Sequence, residues 1–255
     1  MCAILMERPS ESSLFFQTAC LVYDAAPVFQ RLGRVTDLEV YLVRHGKTVF
    51  NTLGRLQGWS DSPLTEEGRA AAADFGAKLA RRGIAFDAAF SSTAPRAAAT
   101  ARLLLEHAGQ AALPLAELAD LRECCFGGFE GEHAQTLYRL LAERNGFTDA
   151  DAFQTAFRWA DRFMLLDAVA QADPLHLAEN HERFTARTAA ALKQIALAAP
   201  NCRRVLAVAH GMTITAVLKS IDPAATEYRS VPNLSLSRLR FSDGLWRIES
   251  VGEVL

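Results

Sequence analysis

Leu38-Glu39-Val40-Tyr41-Leu42-Val43-Arg44-His45-Gly46 is the stretch that decides the fold. A mostly apolar, partly β-branched run ends in a cation, an imidazole and a glycine, the pattern of a buried strand running into a loop. Two later stretches repeat it. Phe86-Asp87-Ala88-Ala89-Phe90 leads to Ser91-Ser92 and then to a helix with Pro95 near its start and Gly109 beyond its end. Val205-Leu206-Ala207-Val208-Ala209 stops at His210-Gly211, and a helical stretch follows from Thr213 to Ser220. Between the first two strands a helix is predicted from Thr65, with a threonine N-cap, Glu66 and Glu67 in the first turn, Phe75 and Leu79 on one face, and Arg81-Arg82-Gly83 as the stop. Strand, helix, strand, helix predicts an α/β three-layer sandwich, with a mostly parallel central sheet and helices on both faces. Ligands of such sheets bind beyond the carboxyl ends of the strands, where all three deliver their polar residues.

Outward from these strands, the sequence reads as helical from about 131 to 200, an inserted cap within a domain spanning 36–255. Leu234 to Leu239 and Leu245 to Val251 flank Asp243-Gly244, which suits a tight hairpin turn. Residues 1–35 read as an N-terminal extension. Its apolar pieces, Leu14-Phe15-Phe16 and Ala19-Cys20-Leu21-Val22, are short and follow Glu7 and Glu11 rather than a basic segment, so a soluble extension is expected, not a signal peptide.

A chain of 255 residues, half of them hydrophobic, can bury a large α/β core. Its 27 basic and 29 acidic side chains leave a net charge of −2, which supplies no broad positive field for nucleic acid or anionic membrane. A small-molecule partner is expected. The 5 cysteines include the adjacent Cys124 and Cys125 and no CxxC pair, which points to neither a disulfide framework nor a zinc knuckle, and to the cytoplasm.

Arg44-His45-Gly46 sets a cation beside an imidazole at a strand end, with a glycine that lets backbone approach a ligand closely. Arg96 falls in the first turn of its helix, so its guanidinium and the helix N-terminus can serve one anion. His210 completes a convergent basic cluster whose natural guest is a phosphate. His107, His133, His176 and His181 lie in polar helical surroundings and read as surface residues. Gly46-Lys47-Thr48 matches the end of a P-loop, but Tyr41 stands where the first glycine should be. His45 and His210 are conceivable metal ligands; with no HExxH or aspartate cluster, and with arginines alongside, no metal and no cofactor are expected.

Leu42-Val43-Arg44-His45-Gly46-Lys47-Thr48 with Asn51, Leu56-Gln57-Gly58-Trp59, Asp61, Pro63-Leu64-Thr65 and Gly68 resembles the opening signature of the histidine phosphatase superfamily, the phosphoglycerate-mutase-like fold. Ser91 to Ala101 around Arg96 is similar to that family's second block. Leu121-Arg122-Glu123 with Phe126-Gly127 and Phe129-Glu130-Gly131 is similar to its third, and Val208-Ala209-His210-Gly211 to its last. The resemblance implies that His45 attacks phosphorus, that Arg44, Asn51, Arg96, His210 and Gly211 bind the phosphoryl oxygens, and that Glu123 donates a proton to the leaving oxygen. It implies a metal-independent phosphatase that hydrolyses small phosphomonoesters through a phosphohistidine. For that role His45 needs its second ring nitrogen tied to an acceptor.

The sequence departs from the pattern in places. Thr93-Ala94 stands where an acidic residue and leucine are common, Gly128-Phe129 where a bulky aromatic often follows, and Ala178-Glu179-Asn180 where many relatives carry Gly-Glu-Ser, so no role is assigned to that last segment. Mutases of the family usually carry Glu-Arg-His-Tyr-Gly around the acid; here the stretch is Glu123-Cys124-Cys125-Phe126-Gly127. Hydrolysis is therefore expected over phosphoglycerate mutation, and over a phosphate- or phosphoprotein-binding module, which needs neither nucleophile nor acid. Tyr138, Phe153, Phe157, Trp159 and Phe163 of the insertion are expected to form mainly its own core.

Overall fold

The computed structural model describes residues 37–158, 163–199 and 201–255; the expected N-terminal extension and Trp159 lie outside them. In chain order the elements are β1 (Asp37–Arg44), α1 (Val49–Leu53), α2 (Glu66–Arg81), β2 (Ala88–Ser92), α3 (Pro95–His107), β3 (Leu115–Leu118), α4 (Ala134–Arg144), α5 (Ala150–Arg158), α6 (Met164–Ala172), α7 (His181–Ala198), β4 (Arg204–Ala209), α8 (Gly211–Ile221), β5 (Leu236–Ser242) and β6 (Leu245–Glu253). The strands form one sheet in the order β3-β2-β4-β1-β5-β6. The β3-β2, β2-β4 and β4-β1 pairings are parallel, and β5 and β6 add antiparallel strands beside β1.

The alternation of side chains along β1 explains why its sequence from Leu38 to Val43 is apolar at nearly every position. Leu38, Val40 and Leu42 pack with Leu192 and Ile195 of α7 and Ile214 and Leu218 of α8. Tyr41 and Val43 face the other way, onto Phe75 and Leu79 of α2 and Ala97 and Leu104 of α3. Both faces are therefore covered, as a parallel sheet requires, and each leucine fully buried there contributes roughly 2 kcal/mol.

Thr65 caps α2 by accepting from the Gly68 N–H, and Asp243 and Gly244 take φ of 54° and 77°, the left-handed pair that a two-residue hairpin turn needs. Two elements escape the sequence reading. β3 is a four-residue edge strand with Ala116 and Glu117 exposed, so it carries no apolar run. α1 buries no side chain and rests on a reciprocal cap between Thr48 and Asn51. In the insertion, α4, α5 and α6 share a core that includes Leu137, Leu141, Phe153 and Val169. Among the described residues no helix is long and apolar enough to cross a membrane.

Candidate active site

Register builds the site. In the parallel pair β1-β4, Arg44 lies opposite Ala209, so the next residues, His45 and His210, leave neighbouring strand ends side by side with ring centroids 5.1 Å apart. Arg96 arrives from the other neighbour of β4, on the second residue of the helix that follows β2.

The His45 Nδ1 lies 2.8 Å from the Gly46 carbonyl oxygen. A carbonyl can only accept, so Nδ1 carries the proton and the Nε2 lone pair is left as the nucleophile, the arrangement the sequence reading required. Burial pushes the His45 pKa well below its usual value; Arg44 and Arg96 push it further, and the Gly46 carbonyl opposes them. Burial, then Arg96, His45 and Arg44, act on His210 in the same direction. Burial also lowers Arg44, against the pull of Glu123, while leaving it a cation.

Arg44 donates through Nη1 to the Val231 carbonyl, and His210 Nε2 lies 2.8 Å from Ser92 Oγ. Arg96 differs from expectation. Its Nη1 donates to Ser60 O at 2.9 Å and Asp61 Oδ1 at 2.7 Å, and its Nη2 to Gln57 O at 3.2 Å and Gly58 O at 2.8 Å. Four protein acceptors from the 57–61 loop hold the fork, which leaves Nε as the edge for an anion. Among the described residues Arg44 Nε, Arg96 Nε and His210 Nδ1 are buried without a hydrogen-bond partner. Leaving such groups unpaired costs about 1–3 kcal/mol each, so three together beside His45 call for a ligand rich in acceptors.

Glu123 places its carboxylate at the N-terminus of α8. Oε2 accepts from Met212 N at 3.0 Å, and Oε1 from Thr213 N at 3.1 Å, Thr213 Oγ1 at 3.2 Å and Cys124 N at 3.1 Å. Asn51 uses its Oδ1 to accept from Thr48 N and Asn233 Nδ2, both at 3.2 Å, which leaves its NH2 for a ligand. Arg44, His45, Asn51 and Glu123 line one cavity of about 380 Å³; Arg96, His210 and Gly211 are not on its wall. Gly211 answers a different need: a Cβ there would fall 2.5 Å from Ser230 Cβ. At Gly46, likewise, the close approach is by the Gly68 carbonyl, 2.9 Å from an added Cβ, and not by a ligand.

Two acidic residues without an expected role organise the site. Glu130 accepts from the N–H groups of Gly58, Trp59, Ser60 and Phe126 at 2.7–3.1 Å, and so shapes the loop that grips Arg96. Glu179, in the segment left without a role above, is buried and bidentate to Arg187, at 2.8 Å from Nε and 2.6 Å from Nη2. Arg187 also donates to the carbonyls of Asp120, Arg122 and Glu123, while Glu179 accepts from Cys125 N, so the pair clamps the chain on both sides of Glu123. Glu179→Gln keeps an acceptor but breaks the buried ion pair. Its expected cost is about 3 kcal/mol of stability, read by thermal melting, and roughly tenfold in kcat with a smaller change in KM. An unchanged kcat in a folded Glu179→Gln protein would mean that Glu123 does not depend on this clamp.

His107, His133 and His176 are exposed, whereas His181 is half-buried with its ring 6.1 Å from that of Phe163, a correction to the expected surface position. Tyr138, Phe153 and Phe157 both pack in the insertion core and line the cavity, while Phe163 is buried against Phe184 and Tyr228. Among the described residues no group of three or more His, Cys, Asp or Glu is placed to hold a metal ion.

A family model described as the histidine phosphatase superfamily (branch 1) matches residues 40–254. A 2,3-bisphosphoglycerate-dependent phosphoglycerate mutase of Hamiltonella defensa is 30% identical over 203 residues, covering 76% of this chain and 81% of that protein. The namesake enzyme of Rhodopseudomonas palustris is 40% identical over 97 residues, and this chain spans only 47% of its length. The crystal structure of phosphoglycerate mutase from Bacillus anthracis superposes with a TM-score of 0.80 at 34% identity, covering 86% of this chain and 95% of that one. A mycobacterial glucosyl-3-phosphoglycerate phosphatase shares the fold at 24% identity and a TM-score of 0.63, covering 86% of this chain and 100% of that one.

Proposed function

Since the chain belongs to the histidine phosphatase superfamily, we propose that it hydrolyses small phosphomonoesters through a phosphohistidine on His45, without a metal. The observation that carries this reading is the set of three unpartnered buried nitrogens on Arg44, Arg96 and His210 around a neutral imidazole whose Nε2 lone pair is free. His45 Nε2 attacks phosphorus as the P–O bond to the leaving group breaks, and Glu123 hands its proton to the departing oxygen. Water then attacks the phosphohistidine, Glu123 takes its proton, and inorganic phosphate leaves. Positive groups on the equatorial oxygens supply the charge stabilisation that metal ions provide in other phosphoryl-transfer enzymes. The proposed partner is thus a small phosphorylated molecule, not nucleic acid or membrane.

The relatives named phosphoglycerate mutase, at 30% and 34% identity, favour a second reading. Against it stands the chain after Glu123, where Cys124 and Cys125 are both buried and offer no cation to a substrate carboxylate. The two separate on 3-phosphoglycerate primed with 2,3-bisphosphoglycerate, assayed beside p-nitrophenyl phosphate with excess chelator. Hydrolysis predicts inorganic phosphate from the aryl ester and no accumulation of 2-phosphoglycerate. Conversion to 2-phosphoglycerate faster than phosphate release makes the protein a mutase, and phosphate binding without either product makes it a binding module.

A further inference from the structure

The cavity beyond the reacting groups is built in two stripes. Phe153 and Phe157 stand one helical turn apart on α5, and Gln154 and Arg158 repeat that spacing one residue on; all four line the cavity. The face of a single helix therefore presents an aromatic stripe and a polar, cationic stripe side by side. Phe126 and Tyr138 extend the apolar wall. Across the opening, the chain before β5 is tied to α5 by the hydrogen bond from Tyr228 N to the Arg158 carbonyl, 2.9 Å long, and it brings Tyr228 and Arg229 onto the same cavity. Arg229 meets Glu227 through Nε at 3.2 Å, and both Arg158 and Arg229 are exposed at the mouth.

The charge balance is one-sided. Among the described residues Glu123 is the single carboxylate on the cavity wall, against Arg44, Arg55, Arg158 and Arg229. Arg44 belongs with the transferred phosphoryl group, and Arg55 donates from Nη1 to the Gly131 carbonyl at 2.6 Å. Arg158 and Arg229 remain, two like charges brought to one rim of a chain whose net charge is −2. Convergent cations at a cavity mouth are relieved by an anion, and a guanidinium fork meets a carboxylate or phosphate through two parallel bonds.

We infer that the leaving group is a ring-bearing alcohol or phenol with a second anionic group, its ring lying against Phe126, Tyr138 and Phe157 and its anion held by Arg158 and Arg229. This rests on the phosphomonoester reading above and specifies its substrate class. The aromatic wall rejects wholly polar three-carbon esters because it offers them apolar surface where they need hydrogen bonds. The arginine rim discriminates between aryl esters that carry a distal charge and those that do not.

Three probes separate these elements: 4-carboxyphenyl phosphate has ring and second anion, phenyl phosphate has the ring alone, and 3-phosphoglycerate has the anion without the ring. With the full chain, kcat/KM is expected to be about tenfold or more higher for 4-carboxyphenyl phosphate than for phenyl phosphate, the worth of a charge-assisted pair at a partly exposed site. Both aryl esters should exceed 3-phosphoglycerate. In the Arg158→Gln, Arg229→Gln double variant the ratio between the two aryl esters should fall to about one, and Phe157→Ala should narrow the gap between phenyl phosphate and 3-phosphoglycerate. Equal kcat/KM for the two aryl esters in the unaltered protein, or a ratio that survives the double arginine change, overturns the inference while leaving hydrolysis intact. Should no ester turn over, affinity for 4-carboxybenzylphosphonate against benzylphosphonate decides it by the same ratio, and the hydrolytic reading fails separately.

Discussion

His45→Ala is expected to lower turnover of every phosphomonoester by about 10⁴-fold or more, because it removes the nucleophile that forms the covalent intermediate. The imidazole is buried with its Nδ1–H committed to Gly46, which fixes Nε2 as the nucleophilic nitrogen. Loss of fold is separated from loss of chemistry by ligand-linked melting: inorganic phosphate should still raise the melting temperature of His45→Ala, since Arg44, Arg96 and His210 remain. The unaltered protein carries a pH signature of the same arrangement. An ordinary imidazole gains a proton as pH falls through about 6.5. Burial, Arg44 and Arg96 hold the His45 pKa well below that value, so the neutral nucleophile persists further into acid and is lost only below its lowered pKa. With an aryl phosphate whose own ionisation lies lower, kcat/KM should therefore hold as pH drops through 6.5. A tenfold loss per pH unit beginning there would contradict the lowered pKa.

Glu123→Gln is expected to cost 10²–10⁴-fold in kcat, roughly the range for losing a general acid–base group, but unevenly across substrates. An alkyl ester leaves as a strongly basic alkoxide and should lose the most. A p-nitrophenyl ester needs little protonation, so its phosphoryl transfer to His45 should survive while hydrolysis of the phosphohistidine, which needs a base, stalls. Rapid mixing should then show a burst of about one equivalent of p-nitrophenol followed by slow turnover. The substitution also sets an amide NH2 against one of the N–H donors of Met212 and Thr213, so a lower melting temperature is expected alongside. Equal losses on alkyl and aryl esters, with no burst, would remove Glu123 from proton transfer and leave it as a brace for the α8 N-terminus.

What the sequence disclosed follows from how each feature is encoded. β1, β2 and β4 are buried on both faces, so each carries a mostly apolar run, and His45 and His210 stand where β1 and β4 stop. Glu123 was readable through its Leu-Arg-Glu and Phe-Gly frame. β3 was not, because an edge strand with exposed Ala116 and Glu117 has no hydrophobic signature. The orientation of Arg96 depends on carbonyls of the 57–61 loop, which Glu130 shapes from 70 residues away, and no local pattern reports such an arrangement. Glu179 and Arg187 lie 8 residues apart on either side of a helix start and act on Glu123 across the fold. Their role appears only when the chain is folded.

The most direct test of the account is to trap the intermediate. The protein is mixed with an excess of p-nitrophenyl phosphate in chelator, quenched into alkali within the first turnovers, and digested for peptide mass spectrometry, under conditions in which a phosphoryl–imidazole bond survives and an acyl phosphate does not. The phosphohistidine mechanism predicts a single phosphoryl group on His45, absent in His45→Ala and enriched in Glu123→Gln. A phosphoryl group on another residue, turnover with none on any histidine, or turnover that requires added metal would contradict it.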